Sequence, residues 1–388
     1  MHLNIEKKEN LALDFFTAAL IYFVLAVTLG LLNAAGVTGI FSNSISAHAH
    51  GALLGFVTLT IMGAMYQIIP TILGRALHSP ALAKKQFWFV NTGIAGMLAG
   101  LLAGANYLFI LSGTITALAS CLFAYIIYRT MAGAKLEITL RFFAAAIAYL
   151  IAAVTLGIFM AAGFGELVTL HSHIALLGFV TLTIMGAMYQ MFPMLSMREL
   201  YSRKIAGATF WTVNAGILGF FFLAFFKEKM ALQASGAIVL ISVLLFAYNL
   251  FMTLHEKVRA PQTGIDLSVK FCVSAILYLI LSTAMGLFFT VCHPARNLVA
   301  AHAHVALLGF VTLTIMGAMY HLIPMLSWMR KYAERIGEKG VPALEEMFSK
   351  PLGKALLYLT NLGILGFLIA LVYKNSSFEV LSGALLAL

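Results

Sequence analysis

Six histidines at fixed spacing are the residues of this chain best suited to chemistry. They form three His-x-His pairs: His48 and His50, His171 and His173, His302 and His304. Imidazole nitrogen is the commonest metal ligand among side chains. Each pair opens a block that occurs three times, identical over Leu53–Tyr66, Leu176–Tyr189 and Leu307–Tyr320, with Pro70, Pro193 or Pro324 four residues further on. The blocks are apolar, and polar groups inside apolar membrane segments are costly and usually functional. A lone histidine there would ordinarily hydrogen-bond a backbone carbonyl. Six in register, in three copies of one motif, point instead to ligation of a cofactor.

The spacing restricts how. On an α-helix, residues i and i+2 lie about 200° apart, so the two rings of a pair point to opposite faces. One pair cannot close on one metal while it stays helical, and each histidine needs a partner from a neighbouring helix. A ring of three such helices has three seams with two histidines at each. That is the axial arrangement of a six-coordinate haem iron, which these residues fit better than copper or zinc.

The elements that must carry these residues are legible from composition. The chain has 388 residues, of which 62% are hydrophobic and 10% charged, and a mean hydropathy of +0.98. Soluble domains carry about 25% charged residues, and disorder needs the opposite bias, so both classes are excluded. Apolar runs of about 20 residues recur, enough to cross a ~30 Å hydrocarbon core. The expected fold is an all-α integral membrane protein. The run 11–32 is too long for a signal-peptide core and is read as a retained first helix. With the N-terminus in the cytoplasm, all but Lys227, Lys229, Arg296 and Lys374 of the 24 Lys and Arg residues fall on the cytoplasmic side. That asymmetry accounts for the net charge of +10 through the positive-inside rule, with no nucleic-acid partner. It also puts the histidine layer near the outer face of a prokaryotic plasma (inner) membrane. Cys121, Cys272 and Cys292 form no CxxC or CxxCH, so there is no thioredoxin-like or c-type haem motif.

The repetition extends beyond the histidine blocks. Trp88-x-x-Asn91-x-Gly93-x-x-Gly96 matches Trp211-x-x-Asn214-x-Gly216-x-x-Gly219, with a weaker copy at Asn361, Gly363 and Gly366. An apolar helix ending near Gly30, Gly157 or Gly286 precedes each block. The single membrane domain 1–388 is therefore divided into repeats 1–130, 131–260 and 261–388. Each has about four membrane helices, for about 12 in total, the last one short from residue 377. An even helix count makes the repeats parallel, related by a pseudo-threefold axis along the membrane normal. The charged stretch 329–351 is the one substantial cytoplasmic insertion. Gly55 and Gly63 offer close approach to a macrocycle or to another helix. Met62 and Met65 read as core filler, and Tyr66, Tyr189 and Tyr320 as interfacial anchors. His78, His255, His293 and His321 read as solvated or snorkelling, and Glu166 as an outer-loop carboxylate.

At His302-Ala-His304-Val-Ala-Leu-Leu-Gly309-Phe310 the chain resembles the catalytic subunits of the haem–copper oxidase superfamily (cytochrome c oxidase subunit I). It is nearest to cbb-type oxidases and nitric-oxide reductases. The resemblance spans essentially the whole chain, and its specific motif lies on helices 2, 6 and 10. It implies twelve helices in three arcs, with His304 and His48 around a low-spin haem and His302 facing His173 in the seam of the active site. The departures are specific. Helix 7 reads Ala-Thr-Phe-Trp-Thr-Val-Asn-Ala-Gly, without the two histidines that complete the family's copper site. Leu177 stands where many oxidases have a tyrosine. Helices 2 and 6 each carry an additional histidine, so His50 and His171 face the third seam. The expectation is two or three b-type haems, paired as His48/His304, His50/His171 and His173/His302, without copper. The function expected is electron transfer, fed by a quinol or a cytochrome subunit. The competing expectations are an oxygen or nitric-oxide reductase with one open haem, and a haem or copper transporter or gas sensor.

Overall fold

In the computed structural model, residues 10–226, 229–258, 266–292 and 294–387 are described. Lys227 and His293 lie outside them. The described residues are helical, joined by short turns, and contain no strand. Eleven helices are long and apolar enough to span a bilayer. In chain order these are α1 (Leu11–Ala34), α2 (Ser44–Leu73), α3 (Pro80–Ala103), α4 (Asn106–Met131), α5 (Ile138–Ala161) and α6 (Gly165–Leu195). They continue with α7 (Arg203–Phe226), α8 (Lys229–Thr253), α9 (Leu267–Val291), α10 (Arg296–Arg335) and α11 (Lys350–Tyr373). A shorter apolar helix, α12 (Ser376–Ala387), follows. This is an integral membrane protein of the helical class, with lipid bilayer as its solvent.

Local chemistry sets several boundaries. The Ser79 hydroxyl accepts from Leu82 N at the start of α3, with Pro80 in the first turn. The Asp266 carboxylate accepts from Ser268 N at the start of α9 at 2.7 Å. Both satisfy backbone donors that a helix start leaves open. Gly74, at φ +61°, closes α2 in the left-handed conformation that glycine adopts without strain.

The same packing order runs through the chain three times. α1 lies along α2, α5 along α6 and α9 along α10, while α3 pairs with α4, α7 with α8 and α11 with α12. The joints also match: α4 packs on α5, α8 on α9, and α12 returns to α1. α2, α6 and α10 are the most buried spans. Their repeated glycines are contact points for the preceding helix rather than for a ligand. A β-carbon on Gly55, Gly178 or Gly309 would stand 2.4–2.5 Å from Cγ of Tyr22, Tyr149 or Tyr278. One on Gly63, Gly186 or Gly317 would stand 2.7–2.8 Å from Cβ of Phe15, Phe142 or Phe271.

The tyrosines that end the blocks depart from the sequence expectation. Tyr66 and Tyr189 are buried, not interfacial. Tyr66 sits between Phe15 and Phe123, with ring centres 5.6 and 5.2 Å away, and Tyr189 between Phe142 and Phe246 at 5.6 and 5.3 Å. Their hydroxyls donate to Gln86 Oε1 and Thr209 Oγ1 at 3.3 and 3.1 Å, the partner a buried phenol requires. Met62, Met65, Met185 and Met188 are buried core. Near the end of α10, Trp328 Nε1 donates to the Pro342 carbonyl at 2.7 Å, tying the stretch that follows back to the helix. Gly55→Val is expected to force Tyr22 out of its seat and to destabilise the bundle by about 1–3 kcal/mol. Gly39→Val, with nothing within 4 Å of the added carbon, is expected to be close to neutral in the same detergent unfolding assay.

Candidate functional site

The three His-x-His pairs lie within the first three turns of α2, α6 and α10 and meet at one end of the bundle. His48 faces His304, with ring centres 6.4 Å apart and planes 19° from parallel. His173 faces His302 at the same 6.4 Å and 20°. His50 and His171 are electrostatic neighbours. Each helix thus turns one ring to each of two seams, as the spacing of i and i+2 requires.

Hydrogen bonds decide which nitrogen each ring presents. His48 Nδ1 bonds the Ala26 carbonyl of α1 at 2.7 Å, and His171 Nδ1 the Ala153 carbonyl of α5 at 2.9 Å. The second histidine of each pair bonds the carbonyl one turn back on its own helix: His50 to Ser46, His173 to Thr169 and His304 to Ala300, each at 2.8 Å. A carbonyl only accepts, so Nδ1 carries the proton in these five rings and Nε2 keeps a free lone pair. A fixed tautomer with Nδ1–H on a carbonyl is the usual arrangement of a metal-ligating histidine. His302 differs. The corresponding carbonyl, Ser282, is its neighbour, yet no hydrogen bond of good geometry forms at Nδ1.

The helix before each block makes room for its first ring. A β-carbon on Gly30 would meet His48 Cε1 at 2.8 Å, on Gly157 His171 Cε1 at 3.3 Å, and on Gly286 His302 Cε1 at 3.2 Å. Aromatic rings bound the second histidines: Phe109 lies 6.4 Å from His50, Phe220 4.8 Å from His173, and Phe367 4.8 Å from His304. Directly after each pair the backbone widens into π-helical turns over Gly51–Thr58, Ile174–Thr181 and Val305–Thr312. Such turns are rare and concentrate at functional sites. No sequence signal announced them. The residues following each pair, Ala52–Leu54, Ala175–Leu177 and Ala306–Leu308, are partly open although their helices are the most buried.

These observations test which group the residues suit. An imidazole nitrogen binds a first-row metal at about 2.0–2.1 Å, so two rings on opposite sides of one ion have centres about 6 Å apart. Among the described residues no three His, Cys, Asp or Glu side chains cluster as a metal site. A pair supplies two ligands, and the others must arrive with the cofactor. A tetrapyrrole brings four nitrogens and needs the apolar surroundings that the alanines and leucines provide. The donor set fits haem. Elsewhere, Glu166 is exposed, and His78 packs on Tyr125 with centres 5.9 Å apart. Cys121 and Cys292 are exposed, Cys272 is buried, and all three are free thiols.

No protein-family model matches the chain. It is 29% identical over 285 residues to an uncharacterized protein of Aquifex aeolicus (strain VF5), covering 73% of this chain and 72% of the relative.

Gly30→Ala is expected to push the His48 ring off the Ala26 carbonyl and to cost about 1 kcal/mol, the net worth of one hydrogen bond. Gly157→Ala, with 3.3 Å available, is expected to cost less in the same thermal unfolding comparison.

Proposed function

We propose that this chain is a membrane-embedded electron-transfer protein that holds b-type haem between paired histidines, in the manner of the haem–copper oxidase catalytic subunits but without their copper. On this reading the twelve helices are three parallel four-helix repeats around a pseudo-threefold axis. The recurring packing order and the return of α12 to α1 support that arrangement. The observation that carries the function is the seam geometry. Two imidazole pairs face each other at 6.4 Å with nearly parallel planes, and their hydrogen-bonded Nδ1 atoms leave Nε2 free. His48/His304, His173/His302 and His50/His171 are the pairs that would hold haem, for two or three haems per chain.

A haem held this way supplies one-electron chemistry between ferric and ferrous iron. The chain's own residues do the rest. Backbone carbonyls orient the rings and raise their donor strength. Phe220, Phe367 and the leucines after each pair keep the seams apolar. A haem held by a histidine from each of two helices would have no place left for substrate, which favours electron transfer over bond-making. Electrons must come from a partner, a quinol in the bilayer or a cytochrome subunit. The basic residues concentrated at the other end from the histidines, and the bacterial relative, support a prokaryotic inner membrane with the N-terminus cytoplasmic and the histidine layer near the outer face.

One observation favours a second reading, an oxygen or nitric-oxide reductase subunit. His302 Nδ1 is the one of the six that makes no hydrogen bond of good geometry, with the Ser282 carbonyl beside it, so its ring is the one whose orientation is set least by the neighbouring helix.

Pyridine haemochrome analysis of the purified protein is expected to give two or three b-type haems per chain. Its reduced spectrum is expected to be unchanged by carbon monoxide. A carbon monoxide shift transfers the assignment to a reductase, and a haem-free protein overturns both. Where a third haem is present, His50→Ala and His171→Ala are each expected to remove one equivalent, and the double variant no more than one. Additive loss of two would break the proposed pairing.

A further inference from the structure

Identical residues of the three blocks are not equally covered. Met62 and Met185 are fully buried, and Tyr66 and Tyr189 are 6% and 4% exposed. Their counterparts in the third block, Met316 and Tyr320, are partly open. The cause lies outside the block. In the first two repeats the fourth helix packs against the block helix, α4 on α2 and α8 on α6, whereas α12 makes no comparable packing with α10. Glycine contacts fix the register of the three fourth helices. A β-carbon on Gly93 would meet Thr116 of α4, on Gly216 Val239 of α8, and on Gly363 Leu386 of α12. Beyond those points α4 continues to Met131 and α8 to Thr253, about four turns, while α12 is described to Ala387.

Those four turns make definite contacts. They bring Phe123 onto Tyr66 and Phe246 onto Tyr189, with ring centres 5.2 and 5.3 Å apart. The Ala119 carbonyl accepts from Gln86 Nε2 at 3.3 Å, and Asn249 hydrogen-bonds the Tyr189 hydroxyl. The same helices also cover the next repeat, α4 lying on α5 and α8 on α9. By that order the equivalent place in the third repeat adjoins α1, and there an apolar face is bare. Leu20 is 41% exposed where Ile276 is 7% exposed and Ile147 is half-buried. Leu13 is partly open where Leu140 and Val269 are buried. Leu356 stands at the position of Gln86 and Thr209. Phe348 covers one side of the Tyr320 ring at 5.8 Å, but among the described residues its hydroxyl has no hydrogen-bond partner. A phenol without an acceptor is costly wherever water is absent.

We propose that the slot bounded by Leu20 of α1, Tyr320 of α10 and Leu356 of α11 seats an apolar membrane helix of a second polypeptide. That helix brings an aromatic ring toward Tyr320 and a side-chain amide within reach of its hydroxyl. The occupant's chemistry is given by what fills the two equivalent places, where an apolar helix carries Phe123 or Phe246 and, in the second, Asn249. Lipid acyl chains offer the phenol no acceptor. A second copy of this chain does not suit the slot. A helix seated there is walled by α1 and α11, whereas every long span of this chain already packs against at least two others. The inference concerns the opposite end of α10 from its histidines and is independent of the haem reading.

The test is binding of a fluorescent synthetic peptide of residues 238–257, which carries Phe246 and Asn249, to the purified full chain in lipid nanodiscs. Saturation at one peptide per chain is expected, with a peptide of scrambled order binding at least tenfold more weakly. Leu20→Trp, which fills the slot, is expected to weaken binding at least tenfold. Ile21→Trp, on the neighbouring exposed face of α1, is expected to leave it unchanged. If Leu20→Trp fails to fold, Tyr320→Phe keeps the question open to measurement. The unaltered chain is expected to prefer the peptide over its Asn249→Leu form, and Tyr320→Phe to bind the two equally. Equal binding of the scrambled peptide, or binding indifferent to both chain substitutions, overturns the proposal. A dimer of this chain that Leu20→Trp dissociates gives the slot to a second copy and overturns it as well.

Discussion

Two imidazoles two residues apart on one helix point to opposite faces, and the arrangement at this end of the bundle turns on that constraint. Each ring must look for its partner across a seam, so the three helices that carry the pairs must be brought together at one end with their faces in phase. α1, α5 and α9 help do this. They supply carbonyls at Ala26 and Ala153 that hold the first rings, and glycines that leave those rings room. The outer helix pairs then wrap this centre, and α12 closes on α1.

Much of the frame was written in periodicity and composition. Apolar runs gave helices with ends close to those observed, because in hydrocarbon a segment has few alternatives to a helix. The facing of the histidines likewise followed from helical phase and repetition. The glycines are only half legible. Gly55 and Gly63 were open to either a macrocycle or a helix, and Tyr22 and Phe15 occupy the places in question. That outcome depends on which helix lies alongside, which one-dimensional spacing does not specify.

The block tyrosines show a different limit. Their distance from the histidines suggested the membrane boundary, where phenols commonly lie, yet Tyr66 and Tyr189 are enclosed by phenylalanines and given acceptors on the next helix. Their hydroxyl partners, Gln86 and Thr209, differ between repeats and so carry no common signal. The π-helical turns after each pair were equally silent, since widening a helix by one residue leaves its composition unchanged.

Three blocks of identical sequence sit in three unlike settings, with Gln86 or Thr209 at the tyrosine and Ala18 or Ser274 beside Asn91 or Asn361. The ring of His302 lies beside the Ser282 carbonyl without the well-aligned hydrogen bond that His48 and His171 make at the matching place. Individuality in this protein therefore resides in the scaffold around the motif. Neighbouring helices are free to diverge and give each seam its own character while the segments that face one another stay interchangeable.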